Sequence, residues 1–188
     1  MQLAAQRNPS DITTTVIARH MGVTQGALFK HFPSKEAIFE SVMEWVAERL
    51  LGRIDQAMQP ALEVGGPLAA LEAVFRAHVD FVIEHPGVPR MLFGELQRTE
   101  MTAPKRLAQA LLRQYSQRLL QLLEQGRQQG LVRAQVQLPA AAALFIGSVQ
   151  GLVMQSLLQG DVQYMRAQAE GVLALYRQAI ALPEEQRS

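Results

Sequence analysis

The sequence predicts an all-α fold, on three observations. Apolar residues recur at three- and four-residue spacing, as in Phe39, Val42, Met43, Val46, Leu50 and Ile54, and again in Leu107, Leu111, Tyr115, Leu119 and Leu122. No stretch alternates with period two for long enough to make a strand. Helix breakers punctuate the chain at Pro60, Gly65-Gly66-Pro67, Pro86-Gly87, Pro104, Gly126 with Gly130, Pro139, Gly160-Asp161 and Pro183. About eight or nine helices are therefore expected, with no repeat period.

Taken in order, residues 1–6 offer only a short first helix, so that element is expected to be truncated. A helix capped by Thr13 or Thr14 then carries Ile17, Ala18 and Met21 on its buried side, and Gly22 ends it where a left-handed backbone is wanted. Val23 fills the turn. Thr24 caps a second helix, Gln25 to about His31, with Leu28 and Phe32 toward the core and Gln25, Ala27, Lys30 and His31 outward. Pro33 stops it and Ser34 caps a long helix to about Met58, which at 1.5 Å per residue spans about 36 Å. That helix is long enough to join two bodies, and the expected domains are residues 1–46 and 47–188.

Farther on, Ala134 to Gly160 carries no charge. Its length would permit a membrane span. Ser148, Gln150, Gln155, Ser156 and Pro139 within it, without an orienting Lys/Arg asymmetry at its flanks, point instead to a helix buried on nearly all sides in protein. Ala143, Gly147 and Gly151 form one stripe of small residues there, and Ala167, Gly171 and Ala174 a second on the last helix. Such stripes suit either packing within one chain or a dimer interface in which two helix pairs form a four-helix bundle.

Composition narrows the function. The 188 residues are 48% hydrophobic, with 18 basic and 17 acidic side chains and no cysteine. Disulfides, thiolate metal sites and thiol nucleophiles are excluded, and the absence of a secretory pattern at the N-terminus makes the cytoplasm the expected compartment. Residues 1–35 hold Arg7, Arg19, Lys30 and Lys35 against Asp11 alone, a net +3 on a chain whose total is +1. A basic end on a near-neutral body suits a polyanion partner. His78 and His85, seven apart near Asp80 and Glu84, fit no common zinc spacing and are expected as surface or capping groups. No Gly-rich phosphate loop or serine elbow is present, so neither catalysis, a cofactor nor a metal is expected.

The two short helices around Gly22 make a helix-turn-helix, whose second helix can enter a major groove about 12 Å wide. There Gln25 can pair with an adenine edge, Lys30 with guanine acceptors or phosphate, and Ala27 can touch a thymine methyl. Gly26 keeps the helix start thin for close backbone approach. Thr13, Thr24 and Lys35 are placed for phosphate, beside the N-terminus of the long helix.

Through Thr13, Ile17-Ala18, Gly22-Val23-Thr24, Gly26, Leu28-Phe29, Phe32 and Ser34-Lys35-Glu36-Ala37-Ile38-Phe39, the sequence resembles the TetR family of bacterial transcriptional regulators. A weaker echo lies in Gly126, Gly130-Leu131-Val132 and Leu138-Pro139 followed by Gly147 and Gly151. The resemblance implies a homodimeric, sequence-specific regulator of a palindromic double-stranded operator, a repressor released by a small apolar or amphipathic effector through the long shared helix. It favours the dimer reading of the stripes. It adds Thr14 and Phe29 to the DNA-facing set, although Phe29 stands where the family often has tyrosine and Ala27 where it often has threonine. Phosphate anchoring then leans on Lys30, His31, Lys35 and backbone N–H groups. The aromatic and Met residues of the larger domain are first of all core, but the family's effector pocket would fall on Met91, Phe93, Tyr115, Phe145, Val149 and Leu152. Two alternatives stand beside this: a DNA-bound adaptor working through a protein partner, and a helical ligand-binding bundle without DNA binding.

Overall fold

The computed structural model describes residue 3 and residues 11–183. Leu3 is helical; the rest of the expected first helix lies outside the described residues. The helices that follow are α1 (Thr14–His20), α2 (Gln25–His31), α3 (Lys35–Glu84), α4 (Gly87–Leu96), α5 (Ala103–Gln128), α6 (Leu138–Gln159) and α7 (Gln163–Ile180). Among the described residues there is no strand, only an isolated antiparallel bridge between Val132 and Ala181.

Local sequence accounts for most boundaries. Thr13 caps α1 by accepting from the Val16 N–H at 3.2 Å, and Thr24 caps α2 by accepting from Ala27 at 3.1 Å. Gly22 stands between them at φ 68°, a conformation a Cβ would strain. Ser34 accepts from the Ala37 N–H at 3.1 Å to start α3. α3 is interrupted at Gly66, at φ 74° and ψ −170°, and Pro67 opens its second segment. It is not interrupted at Pro60, contrary to expectation. Pro60 and Gln56, whose carbonyl the ring displaces, are both exposed, so water can satisfy the freed group. α5 likewise runs through Gly126 and ends before Gly130 at φ 69°.

The chain divides into two compact units that are discontinuous in sequence, residues 1–49 with 84–111, and residues 50–83 with 112–188. In the first, Ile12, Ile17, Ala18 and Leu28 form a small core, joined by Leu3, Phe32 and Ile38. A second cluster of Met43, Met91 and Ala108, with Phe39, Val42, Leu92 and Leu107 around it, packs the start of α3 against α4 and α5. Met21, expected on the buried side, does not join these cores, and neither does Val23 in the turn. They are 57% and 40% exposed, because Met21 is the C-cap of α1 and Val23 follows the left-handed Gly22, which turns the chain outward.

In the second unit the core is aromatic. Phe145 meets Phe75 and Tyr176 edge-on, with centroids 5.4 and 5.3 Å apart, and Tyr115 at 6.3 Å. Arg76 makes a two-pronged pair with Glu170 at 2.8 and 2.9 Å, and Arg177 pairs with Glu72, so α7 is fastened to the second segment of α3. By length and composition α6 could cross a membrane. It is not buried on nearly all sides, however. Leu138, Ala141, Ala142, Phe145, Val149, Leu152, Val153 and Ser156 are buried, whereas Ala143, Leu144, Gly147 and Met154 are exposed, because among the described residues no element covers that face.

Candidate nucleic-acid interface

The small core of Ile12, Ile17, Ala18 and Leu28 fixes which side of α2 is free. Leu28 points in, and Gln25, Gly26, Phe29, Lys30 and His31 are exposed. Ala27 is half-buried rather than fully outward, one position before the anchoring Leu28. A Cβ at Gly26 would meet nothing within 4 Å, so the thin start of the helix is not required by packing. The Thr13 and Thr24 oxygens accept the capping N–H groups, and their hydroxyl protons remain able to donate to phosphate.

Thr14 has a different place from the one expected. It is the first residue of α1, and its hydroxyl oxygen accepts from Gln25 Nε2 at 3.1 Å. The side-chain amide of Gln25 is therefore oriented before any DNA arrives, leaving its carbonyl oxygen to accept and its second Nε2–H to donate. Sequence reasoning could not find this pair, because the two residues lie eleven apart on different helices.

Lys35, the first residue of α3, lies half-buried with its Nζ 5.3 Å from the centre of the Phe39 ring. Burial lowers its pKa from the usual lysine value, opposed by the carboxylate of Glu95; Arg98 adds to the lowering and Asp11 to the opposition. Glu95 itself is 5% exposed on α4; its Oε2 accepts from the Thr102 hydroxyl at 2.9 Å and its Oε1 lies 3.8 Å from Arg98. Sequence reading missed Glu95 altogether. A charged residue in the last turn of an amphipathic helix gives no signal of burial until its neighbours are known.

The expected effector residues fall in both units. Met91 and Phe93 belong to the first, Met91 buried with Met43 and Ala108. Tyr115, Phe145, Val149 and Leu152 belong to the second, where Tyr115, Phe145 and Val149 are at most 1% exposed. His78 adjoins them half-buried, with Nδ1 3.2 Å from the Tyr115 hydroxyl, so it is not the free surface or capping group that was expected. His85, in the first unit, packs edge-on against Trp45 at 5.2 Å. Among the described residues no three His, Asp or Glu side chains converge on a metal position. An open groove in the second unit, with a volume of ≈ 680 Å³, is lined by Leu120, Glu124, Arg127 and residues 134–139, and holds none of the expected pocket residues.

Burial pushes the His78 pKa from 6.5 down to about 4 and raises the Tyr115 phenol above its ordinary value. The folded chain then binds the His78 proton later than the unfolded chain as pH falls. Its stability contribution is whole above about pH 6.5 and is lost as pH drops toward about 4, by up to about 3 kcal/mol. Urea titrations across that window are expected to show a shallower pH slope for His78→Gln than for the parent chain; equal slopes would refute the assignment.

The expected dimer residues stand apart from these cores. Ala143, Gly147, Ala167, Gly171 and Ala174 are exposed and Gly151 is half-exposed, and a Cβ added at Gly147, Gly151 or Gly171 would meet nothing within 4 Å. Leu158 and Leu175, 79% and 68% exposed, extend the same apolar surface.

Residues 1–42 match the sequence profile of bacterial regulatory proteins of the tetR family, and residues 64–154 that of the tetracyclin repressor-like C-terminal domain. The nucleoid occlusion factor SlmA of Marinomonas sp. (strain MWYL1) is 31% identical over 147 residues, 76% of this chain and 71% of that protein. The SlmA of Vibrio cholerae is 27% identical over 163 residues, 87% of this chain and 81% of that one. Among solved structures, the ketosteroid transcriptional regulator KstR2 of Mycobacterium tuberculosis superposes with a TM-score of 0.77 at 19% identity, covering 97% of this chain and 91% of that one. The transcriptional regulator FadR from Bacillus subtilis in complex with stearoyl-CoA superposes with a TM-score of 0.77 at 19% identity, covering 93% and 92%. At that identity these two structures share the fold.

Proposed function

Since this chain belongs to the TetR family of bacterial regulatory proteins and is a DNA-binding transcriptional regulator, we propose that it works as a homodimer, reads a palindromic operator and represses until a small apolar or amphipathic effector releases it. The observation that carries the reading is the exposed face of α2, where Gln25 is held in place by Thr14 and flanked by Lys30 and His31. Residues 1–46 do the reading, and residues 47–188 carry dimerisation and effector binding. The task is regulatory, not catalytic, and its place is the cytoplasm, with the DNA.

Support for the dimer comes from the α6 and α7 stripes, which are open within one chain, so packing inside the protomer does not explain them. Two recognition helices then meet half-sites about one helical turn apart, or a multiple of it. An effector lowers operator affinity only if it favours dimer conformations in which the recognition helices stand at a different separation. The structural neighbours named above, a ketosteroid regulator and a regulator bound to stearoyl-CoA, support an apolar or amphipathic effector class.

A second reading, a DNA-bound adaptor whose output is contact with another protein, is favoured by two observations. Tyr115, Phe145 and Val149 are at most 1% exposed, as packed core is, and Leu96 and Met101 are each 54% exposed on the first unit. The name of the SlmA relatives, nucleoid occlusion factor, points the same way.

Selection of bound sequences from a random duplex pool at fixed salt tests the DNA reading. A palindrome with a fixed half-site spacing is the expected result. Recovery of no sequence by a folded, dimeric chain would overturn it.

A further inference from the structure

Leu28 is the buried residue of α2 and fixes which way the helix faces. At about 3.6 residues per turn, Gln25, Gly26, Phe29 and Lys30 share the opposite side, with Phe29 and Gly26 between the Gln25 amide and the Lys30 ammonium. All four are exposed. Phe29 is out of place among them: its ring is 42% exposed, it has no hydrogen-bonding group, and it joins neither apolar cluster of the first unit. A helical aromatic side chain leans toward the N-terminus, which sets this ring beside the turn that holds Gln25 and Gly26. A Cβ at Gly26 would meet nothing within 4 Å, so the protein leaves the surface there open.

We propose that Phe29, beside the open surface at Gly26, receives a thymine C5-methyl group in the major groove, so that α2 reads adenine through Gln25 and thymine through Phe29. The proposal rests on the DNA-binding reading above and names the base chemistry which that reading leaves open. Of the groups that the bases present in the major groove, the thymine methyl alone is apolar. Against any of the others a phenyl ring would displace water from a donor or acceptor and give no bond in return. Gln25 sets the neighbourhood. Held by Thr14, it keeps Oε1 to accept and its second Nε2–H to donate, the two bonds that an adenine edge completes. Each adenine read in this way brings a thymine in the same base pair. Phe29 stands one helical turn from Gln25, an advance of about 6 Å that corresponds to about two base steps. Ala27, the other apolar candidate on α2, is half-buried, so Phe29 offers the larger free surface.

The test starts from the operator that the full-length parent chain selects. Deoxyuridine pairs as thymidine does and lacks only the methyl, so uracil replaces each thymine of the half-site in turn and the binding constant is remeasured at fixed salt. One position is expected to lose about fourfold in affinity per half-site, the worth of one buried methyl group, while uracil throughout a random duplex changes little. This arm needs no variant to fold. In Phe29→Ala the same position should become indifferent to the methyl, and in Phe29→Tyr, which keeps the ring, the fourfold response should remain. The inference is overturned if uracil at no thymine weakens the parent, or if Phe29→Ala responds to uracil as the parent does. If the parent selects no sequence at all, the DNA-binding reading fails and takes this inference with it. A parent that selects an operator and ignores every methyl rejects the inference alone.

Discussion

Arginine at Gly147 and Gly171 together is expected to yield a chain that runs as a 20.8 kDa protomer in sedimentation equilibrium, where the parent runs at twice that mass. The two glycines lie on exposed faces of α6 and α7, and a side chain at either has open space around it within the protomer. Helical arginine is favoured over helical glycine by somewhat under 1 kcal/mol per site, so the substitutions do not weaken the helices themselves. Across a two-fold interface each substitution appears twice, placing four guanidinium groups against a surface of small and apolar side chains with no acidic partners in the stripes. Because a monomer engages one half-site at a time, operator affinity should fall at least about a hundredfold, while affinity for random DNA changes little. A double variant that stays dimeric and keeps its operator affinity would reject α6 and α7 as the interface.

Gln25→Ala is the second substitution with a large expected effect, and it separates reading from positioning. Gln25 is exposed and contributes nothing to the core, so the variant should fold as the parent does. A bidentate amide contact to adenine discriminates by about 1–3 kcal/mol, and a palindrome contains it twice. Operator affinity should therefore drop by about 2–6 kcal/mol while affinity for random duplex is unchanged. Thr14→Val removes only the hydroxyl that orients the amide at 3.1 Å, and its loss should be a fraction of that. Equal weakening on operator and random DNA after Gln25→Ala would show that Gln25 does not read sequence. Lys30→Ala with Lys35→Ala supplies the contrast, with uniform weakening and a shallower salt slope.

The all-α class, the caps at Thr13, Thr24 and Ser34, the left-handed Gly22 and the break at Gly66-Pro67 were all legible from the sequence. Each depends on groups within about four residues, and backbone sterics and side-chain capping act over that range. Family membership was legible for the same reason, since its motif is a run of such local signals from Thr13 to Phe39. Errors came where a local rule met a tertiary setting. Pro60 is a breaker by rule, but its exposed face lets water replace the lost bond. Met21 follows the apolar pattern, but as the C-cap of α1 it stands beyond the helix's last turn, away from the core.

What remains was decided by tertiary structure alone, because it depends on which helices become neighbours. The pairing of Gln25 with Thr14, the contact of His78 with Tyr115 and the bond from Thr102 to the buried Glu95 join side chains from seven to 37 positions apart. The return of residues 84–111 to the unit begun by residues 1–49 has the same origin. Periodicity specifies that a helix has an apolar face and leaves open what that face will meet. For α6 it gave two usable faces, and only packing assigned Phe145 and Val149 to the core and left Gly147 open.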